Sequence, residues 1–145
     1  MNQSQKPEHA KKVDEWISKS VVGLEQVDQA RVLASAILEI ENRVLLTLSS
    51  ITWKAILERA LSQSSEQHPL LLGIKVEAHG LSIAGLLPSL QSEHTNQVIE
   101  SFRFFIIEIL TIVGNLTAEV LSEPLYRVLF KLVADSKCRT DRGDL

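Results

Sequence analysis

The sequence predicts a mainly α-helical bundle of about five helices carrying one small antiparallel β-hairpin. Three observations carry this reading. Apolar residues recur at three- and four-residue spacing through most of the chain, in windows with few helix breakers. One short segment, Ile74 to Ile83, instead alternates with period two. The most apolar stretch, Phe102 to Leu121, holds three of the four phenylalanines and has the pattern of a core helix.

Met1 to Pro7 is polar and expected to be loose, leaving one domain over 8–135 and a polar tail over 136–145. From Glu8 to about Val22 a short amphipathic helix is expected, with Val13, Trp16 and Ile17 on its apolar face and Gly23 ending it. Leu24 to about Leu48 reads as a long helix rich in strong formers such as Ala30, Ala34 and Glu39. Within it Leu33, Ile37, Ile40 and Val44 step by four, three and four, the spacing of a packed helix pair or a short coiled coil. Core packing within one chain and a homodimer seam both satisfy that spacing. These four residues are the candidate interface.

Ser49 or Ser50 can cap a further helix from about Ile51 to Ser62, so two helices are preferred to one continuous helix over 25–62. Gln63 to Pro69 reads as a polar connection. The hairpin follows near 73–84, where Ile74, Val76, Leu81 and Ile83 alternate with Lys75, Glu77 and Ser82. Pairing Val76 with Ile83 or with Leu81 keeps the apolar residues on one face. Two strands alone are marginally stable, so the hairpin must lie on helices or extend across a dimer. Ser92 or Thr95 can cap the central helix, expected from about Asn96 through Val113, with a possible kink at Gly114-Asn115. Ser122 and Pro124 restart the chain for a last helix over about 123–135.

Phe102 to Leu121 has nearly the length of a membrane span, but Glu108, Asn115 and Glu119 interrupt it. Glu108, Thr111, Asn115, Glu119 and Ser122 fall three or four apart and form one narrow stripe. Phe105, Ile106, Ile109, Leu110, Val113, Leu116, Val120 and Leu121 occupy the remaining faces. The expectation is a largely buried helix with one wet edge, and no membrane span.

The 145 residues suffice for one sizeable core, and 45 % hydrophobic with 23 % charged residues is an ordinary globular balance. A net charge of −3 and a pI near 5.8 disfavour nucleic acid as the main partner. The basic clusters, Lys11-Lys12 and Lys137, Arg139 and Arg142, lie near the ends and are diluted by acids. A single cysteine, Cys138, permits no intrachain disulfide. With the polar N-terminus, which lacks a signal-like apolar run, it leads to an expected cytoplasmic location.

No phosphate-cradling Gly loop and no Gly-x-Ser-x-Gly elbow occurs. His9, His68, His79 and His94 lie far apart, without metal-ligand spacing, so no metal or cofactor is expected. Glu108 and Glu119, eleven residues apart, would stand about 16 Å apart along a helix, too far for one acid–base pair. No catalytic residues are assigned and an enzyme is not expected. Asn115-Leu116-Thr117 matches a glycosylation sequon only by chance, given its helical setting.

The order of parts carries a resemblance. A long helix leads into Ile51-Thr52-Trp53-Lys54-Ala55-Ile56-Leu57-Glu58-Arg59-Ala60; then come His68-Pro69-Leu70-Leu71, the hairpin with His79-Gly80-Leu81-Ser82, and Ile112-Val113-Gly114-Asn115-Leu116-Thr117. Over roughly 25–135 this resembles small helical modules attached to bacterial signalling proteins such as histidine kinases and diguanylate cyclases. The resemblance implies a sensory, regulatory or dimerising role. The expected function is therefore a non-catalytic signalling or adaptor module acting through homodimerisation and a protein partner. The alternatives are a secretion or assembly chaperone shielding a partner segment, and a small-molecule or haem sensor with a pocket between helices.

Overall fold

A computed structural model describes residues 6–21, 23–77, 80–86 and 95–143, with the side chains of 133–143 left aside. These residues form five helices and a two-stranded antiparallel sheet: α1 (Lys6–Ser20), α2 (Gln26–Val44), α3 (Ser50–Gln67), β1 (Lys75–Glu77), β2 (Gly80–Ser82), α4 (Thr95–Leu116) and α5 (Ser122–Gly143). A short 3-10 turn, Pro69–Gly73, links α3 to β1. Among the described residues, no helix is long and apolar enough to cross a membrane.

The most apolar stretch is the axis of the bundle. α4 packs against α1, α2, α3 and α5. Its Val98, Phe102, Phe105, Ile106, Ile109 and Val113 are wholly buried in one continuous hydrophobic cluster. Side-chain contacts give the helix directions. Arg103 pairs with Asp14 while Glu119 approaches His9, so α1 runs antiparallel to α4. The Lys12 ammonium lies 5.7 Å above the Tyr126 ring and that of Lys19 5.4 Å above Phe130, so α1 and α5 run parallel. His68 meets Phe104 at 5.2 Å, which sets the end of α3 beside the first half of α4.

Helices α2 and α3 are separate. The chain tightens over Leu45–Leu48 through hydrogen bonds such as Thr47 N–H to Val44 O, 2.9 Å. Ser49 then caps α3 by accepting from the Thr52 N–H at 3.1 Å. The two helices are clasped by the Trp53 indole N–H, which donates to Glu41 Oε2 at 2.5 Å.

Several expected boundaries move. α3 continues to Gln67 instead of stopping near Ser62. Polarity marked Gln63 to Gln67 as a loop, but no breaker precedes Pro69, and Ser64 is fully buried. α5 likewise runs through the expected tail to Gly143, since nothing between Pro124 and that glycine interrupts a helix. α4 runs on through Gly114 to Leu116. Residues 1–5 lie outside the described residues, as do Ser92 and the connector over 87–94; Thr95 is the first residue of α4.

The wet-edge expectation holds only in part. Glu108 is buried, at 8 % exposure, whereas Leu116 and Val120 stand 59 % and 72 % exposed. The helix ends at Leu116, and Ala118 and Glu119 take left-handed conformations, φ 51° and 65°. Helical periodicity therefore ceases to place side chains beyond that point.

The hairpin adopts one of the two expected registers: Val76 faces Leu81, and Glu77 faces Gly80. It lies on helices, β1 against α3 and β2 against α2. The flanking backbone segments touch. A Cβ at Gly73 would meet Leu86 Cα at 2.9 Å, and one at Gly85 would meet Gly73 O at 2.8 Å. Leu86, wholly buried, enters the core at that crossing.

Candidate functional site

Two features carry chemistry: a buried polar chain at one end of the bundle and an open groove along its side. The polar chain starts on α1. His9 shares a helix face with Val13 and Trp16, and all three are fully buried. His9 Nδ1 lies 2.6 Å from the Tyr126 hydroxyl. Burial, reinforced by Glu8, Glu119 and Glu123, pushes the Tyr126 phenol up to about 12. The hydroxyl keeps its proton; with Nε2 turned toward the Glu119 carboxylate, which only accepts, the tautomer protonated on Nε2 fits best and leaves Nδ1 to accept from the phenol. Nε2 faces Glu119 Oε1 at 3.5 Å, beyond a good hydrogen bond. Burial holds the His9 pKa below its ordinary 6.5, with Glu119 and Glu8 pulling the other way.

Glu119 is brought there by the left-handed turn after α4. Its Oε1 accepts from Ser122 Oγ at 2.6 Å. The carboxylate also folds over Gly114, where an added Cβ would stand 2.7 Å from both oxygens. The missing side chain at Gly114 is what admits the carboxylate. Ser122, Glu119, His9 and Tyr126 thus form a relay of acid–base groups, but the imidazole at its centre is wholly covered. In this arrangement the relay fastens the start of α1 to the α4–α5 turn.

The groove runs between α1, α2 and α5 and encloses about 780 Å³. That volume lies in the range of small-molecule sites. Trp16, Val32, Val128 and Leu132 supply apolar lining, with Leu24 and Leu46 along α2's flanks. Asp28, Arg31, Glu39, Arg43 and Lys131 add charge. Two of the residues that line it, Trp16 and Ser20, carry polar atoms, Nε1 and Oγ, that are buried without a hydrogen-bond partner. A buried donor left unsatisfied costs about 1–3 kcal/mol.

The candidate interface residues lie elsewhere. Leu33, Ile37, Ile40 and Val44 are 0–2 % exposed and belong to the chain's own core. α2 as a whole packs on α4 and α5. Of the histidines, His68 meets the Phe104 ring at a tilt of 51°, while His79 and His94 fall outside the described residues. Cys138 lies in α5, its side chain not described. Among the described residues no group of three or more His, Cys, Asp or Glu could hold a metal ion. Glu108 and Glu119 are not brought together as a pair: one is buried in α4, the other belongs to the turn beyond it.

The polar relay was not anticipated from sequence, although its signal was present. His9 stands four residues before Val13 and seven before Trp16, on the apolar stripe of α1. Comparison with protein-family models, curated proteins and solved structures finds no match.

Proposed function

We propose that this chain is a non-catalytic regulatory module that takes up a ligand or a partner segment between α1, α2 and α5. The groove is the observation that supports it most directly. The three helices that line it are held at one end by the His9–Tyr126 contact and the Glu119 turn, and at the other by the short α1–α2 connection. A bound molecule that favours one spacing of these helices shifts their arrangement, which is how a module without chemistry of its own transmits a signal. The role is the one that the resemblance to helical modules of bacterial signalling proteins implies, and a cytoplasmic setting is part of the same proposal. The test is native mass spectrometry of the purified protein, together with a ligand screen by thermal unfolding. A bound species lost on filling the groove supports the reading, and a groove that takes up nothing removes it.

A second reading, an adaptor or homodimer, rests on a different surface. Leu45, Leu46 and Ile51 at the α2–α3 corner are 40 %, 78 % and 82 % exposed. Leu116 and Val120, at the α4–α5 turn, are a second exposed apolar pair. Light scattering over a wide concentration range decides it; a monomer throughout counts against self-association.

A further inference from the structure

We propose that the groove binds a small amphiphilic anion, with an apolar body of about eight to twelve carbons and a carboxylate head. This rests on the ligand-binding reading above and names the ligand's chemistry. The body follows from the apolar lining that Trp16, Val32, Val128 and Leu132 provide between the helices. The side of α2 facing the groove, from Asp28 to Arg43, extends about 22 Å at 1.5 Å per residue, room for an extended chain.

The head follows from what the wall lacks. An indole N–H can only donate, and that of Trp16 is buried with no acceptor. Ser20 Oγ, one helical turn further along α1, is also buried without a partner. Both residues line one end of the groove, so an oxygen acceptor that displaces the side chains covering them there would satisfy a donor that the chain leaves unmatched.

The sign of the head follows from the charges. On α2, Asp28 stands three residues from Arg31, and Glu39 four from Arg43, so these neighbours largely offset each other. Lys131 of α5 is then the unmatched cation of the described lining. Because Lys19 lies over Phe130, Lys131 sits at the same end as Trp16 and Ser20. The carbonyls ending α1 oppose an anion there. The start of α2 carries Glu25 and Asp28, which also oppose an anion, and uncapped N–H groups, which favour one, so Lys131 decides the sign.

The test uses the Trp53→Phe protein, in which Trp16 is the sole tryptophan. Decanoate, decanol and decylammonium are titrated below their micellar concentrations, with Trp16 emission and the thermal midpoint as readouts. Decanoate is expected to shift the emission, raise the midpoint and bind roughly tenfold more tightly than decanol. Ser35→Phe, placed at an exposed groove position, should abolish both responses, and Lys131→Glu should remove the preference for decanoate. Equal binding of decanoate and decanol, or tighter binding of decylammonium, overturns the anionic head and leaves the groove reading standing. No response to any of the three, with Ser35→Phe indistinguishable from its parent, overturns both.

Discussion

The Tyr126 hydroxyl and His9 Nδ1 lie 2.6 Å apart and join positions 117 residues apart in the chain. This contact closes the bundle, tying its first helix to its last, around an imidazole whose burial favours the neutral form. Burial lowers the His9 pKa, while the unfolded chain titrates near 6.5. As pH falls through 6.5, the unfolded state takes up a proton that the folded state resists. The stability His9 contributes is thus full above pH 6.5 and lost as pH falls toward the lowered folded value. Urea midpoints should drop between pH 7.5 and 5.5, and His9→Gln should flatten that drop. An identical slope in the variant contradicts the assignment. Tyr126→Phe, which strands Nδ1 inside the bundle, should cost about 1–3 kcal/mol at pH 7.5.

Gly114 and Glu119 make a sharper test. Alanine ordinarily improves a helix interior by about 1 kcal/mol over glycine. Here the new Cβ would displace the Glu119 carboxylate from over the helix and from Ser122. Losing a hydrogen bond to a charged group costs about 1.5–3 kcal/mol, so Gly114→Ala should destabilise. In a Glu119→Ala background the obstruction is gone, and the same change should stabilise by about 1 kcal/mol. The sign reversal is read from a double-mutant cycle in urea. Destabilisation in both backgrounds means that something other than the carboxylate excludes a side chain at Gly114.

The helices were legible because their periodicity is strong and breakers are few. The cap at Ser49 was legible because capping is local chemistry, and one of two hairpin registers was left for the packed structure to select. Two boundaries differ because polarity suggests a loop at Gln63–Gln67 and beyond Asp135, where no residue forbids a helix, and a third because Gly114 suggests an end or kink that α4 passes through. The left-handed turn at Ala118 and Glu119 was invisible, because neither residue type favours that conformation. What holds it is a set of specific contacts, the Glu119 N–H to Gly114 O, the Glu119 carboxylate to Ser122 and the approach to His9, that residue type does not announce. The relay and the groove were hidden for a related reason. Each draws on helices distant in sequence, and spacing within one helix says nothing about which neighbour it meets.

Gly73 and Gly85 let two backbone segments cross at the base of the hairpin. The atoms an added Cβ would meet are backbone, at 2.8–3.0 Å, and cannot swing aside as a side-chain end can. Gly73→Ala or Gly85→Ala should therefore part the segments and lift Leu86 from the core, at a cost of about 1–3 kcal/mol. Hydrogen exchange should quicken at the paired amides of β1 and β2 and remain nearly unchanged in the middle of α4. Uniform loosening would show that the hairpin and the bundle open as one unit.

The last prediction concerns the seam on α2. Its spacing suits a dimer as well as a core, but Leu33, Ile37, Ile40 and Val44 are covered by the chain's own helices. Leu33→Ala should therefore cost about 2–5 kcal/mol, the range for removing a large aliphatic side chain from a packed interior. That loss should not depend on protein concentration, because no subunit contact is broken with it. At the exposed corner the expectation inverts. Leu46→Ser and Ile51→Ser should leave the urea midpoint within about 0.5 kcal/mol of the parent. Any self-association seen by light scattering should weaken in that pair and persist in Leu33→Ala at concentrations where the variant is folded. A concentration-dependent loss in Leu33→Ala would instead return the seam to the role its spacing allowed, an interface between copies.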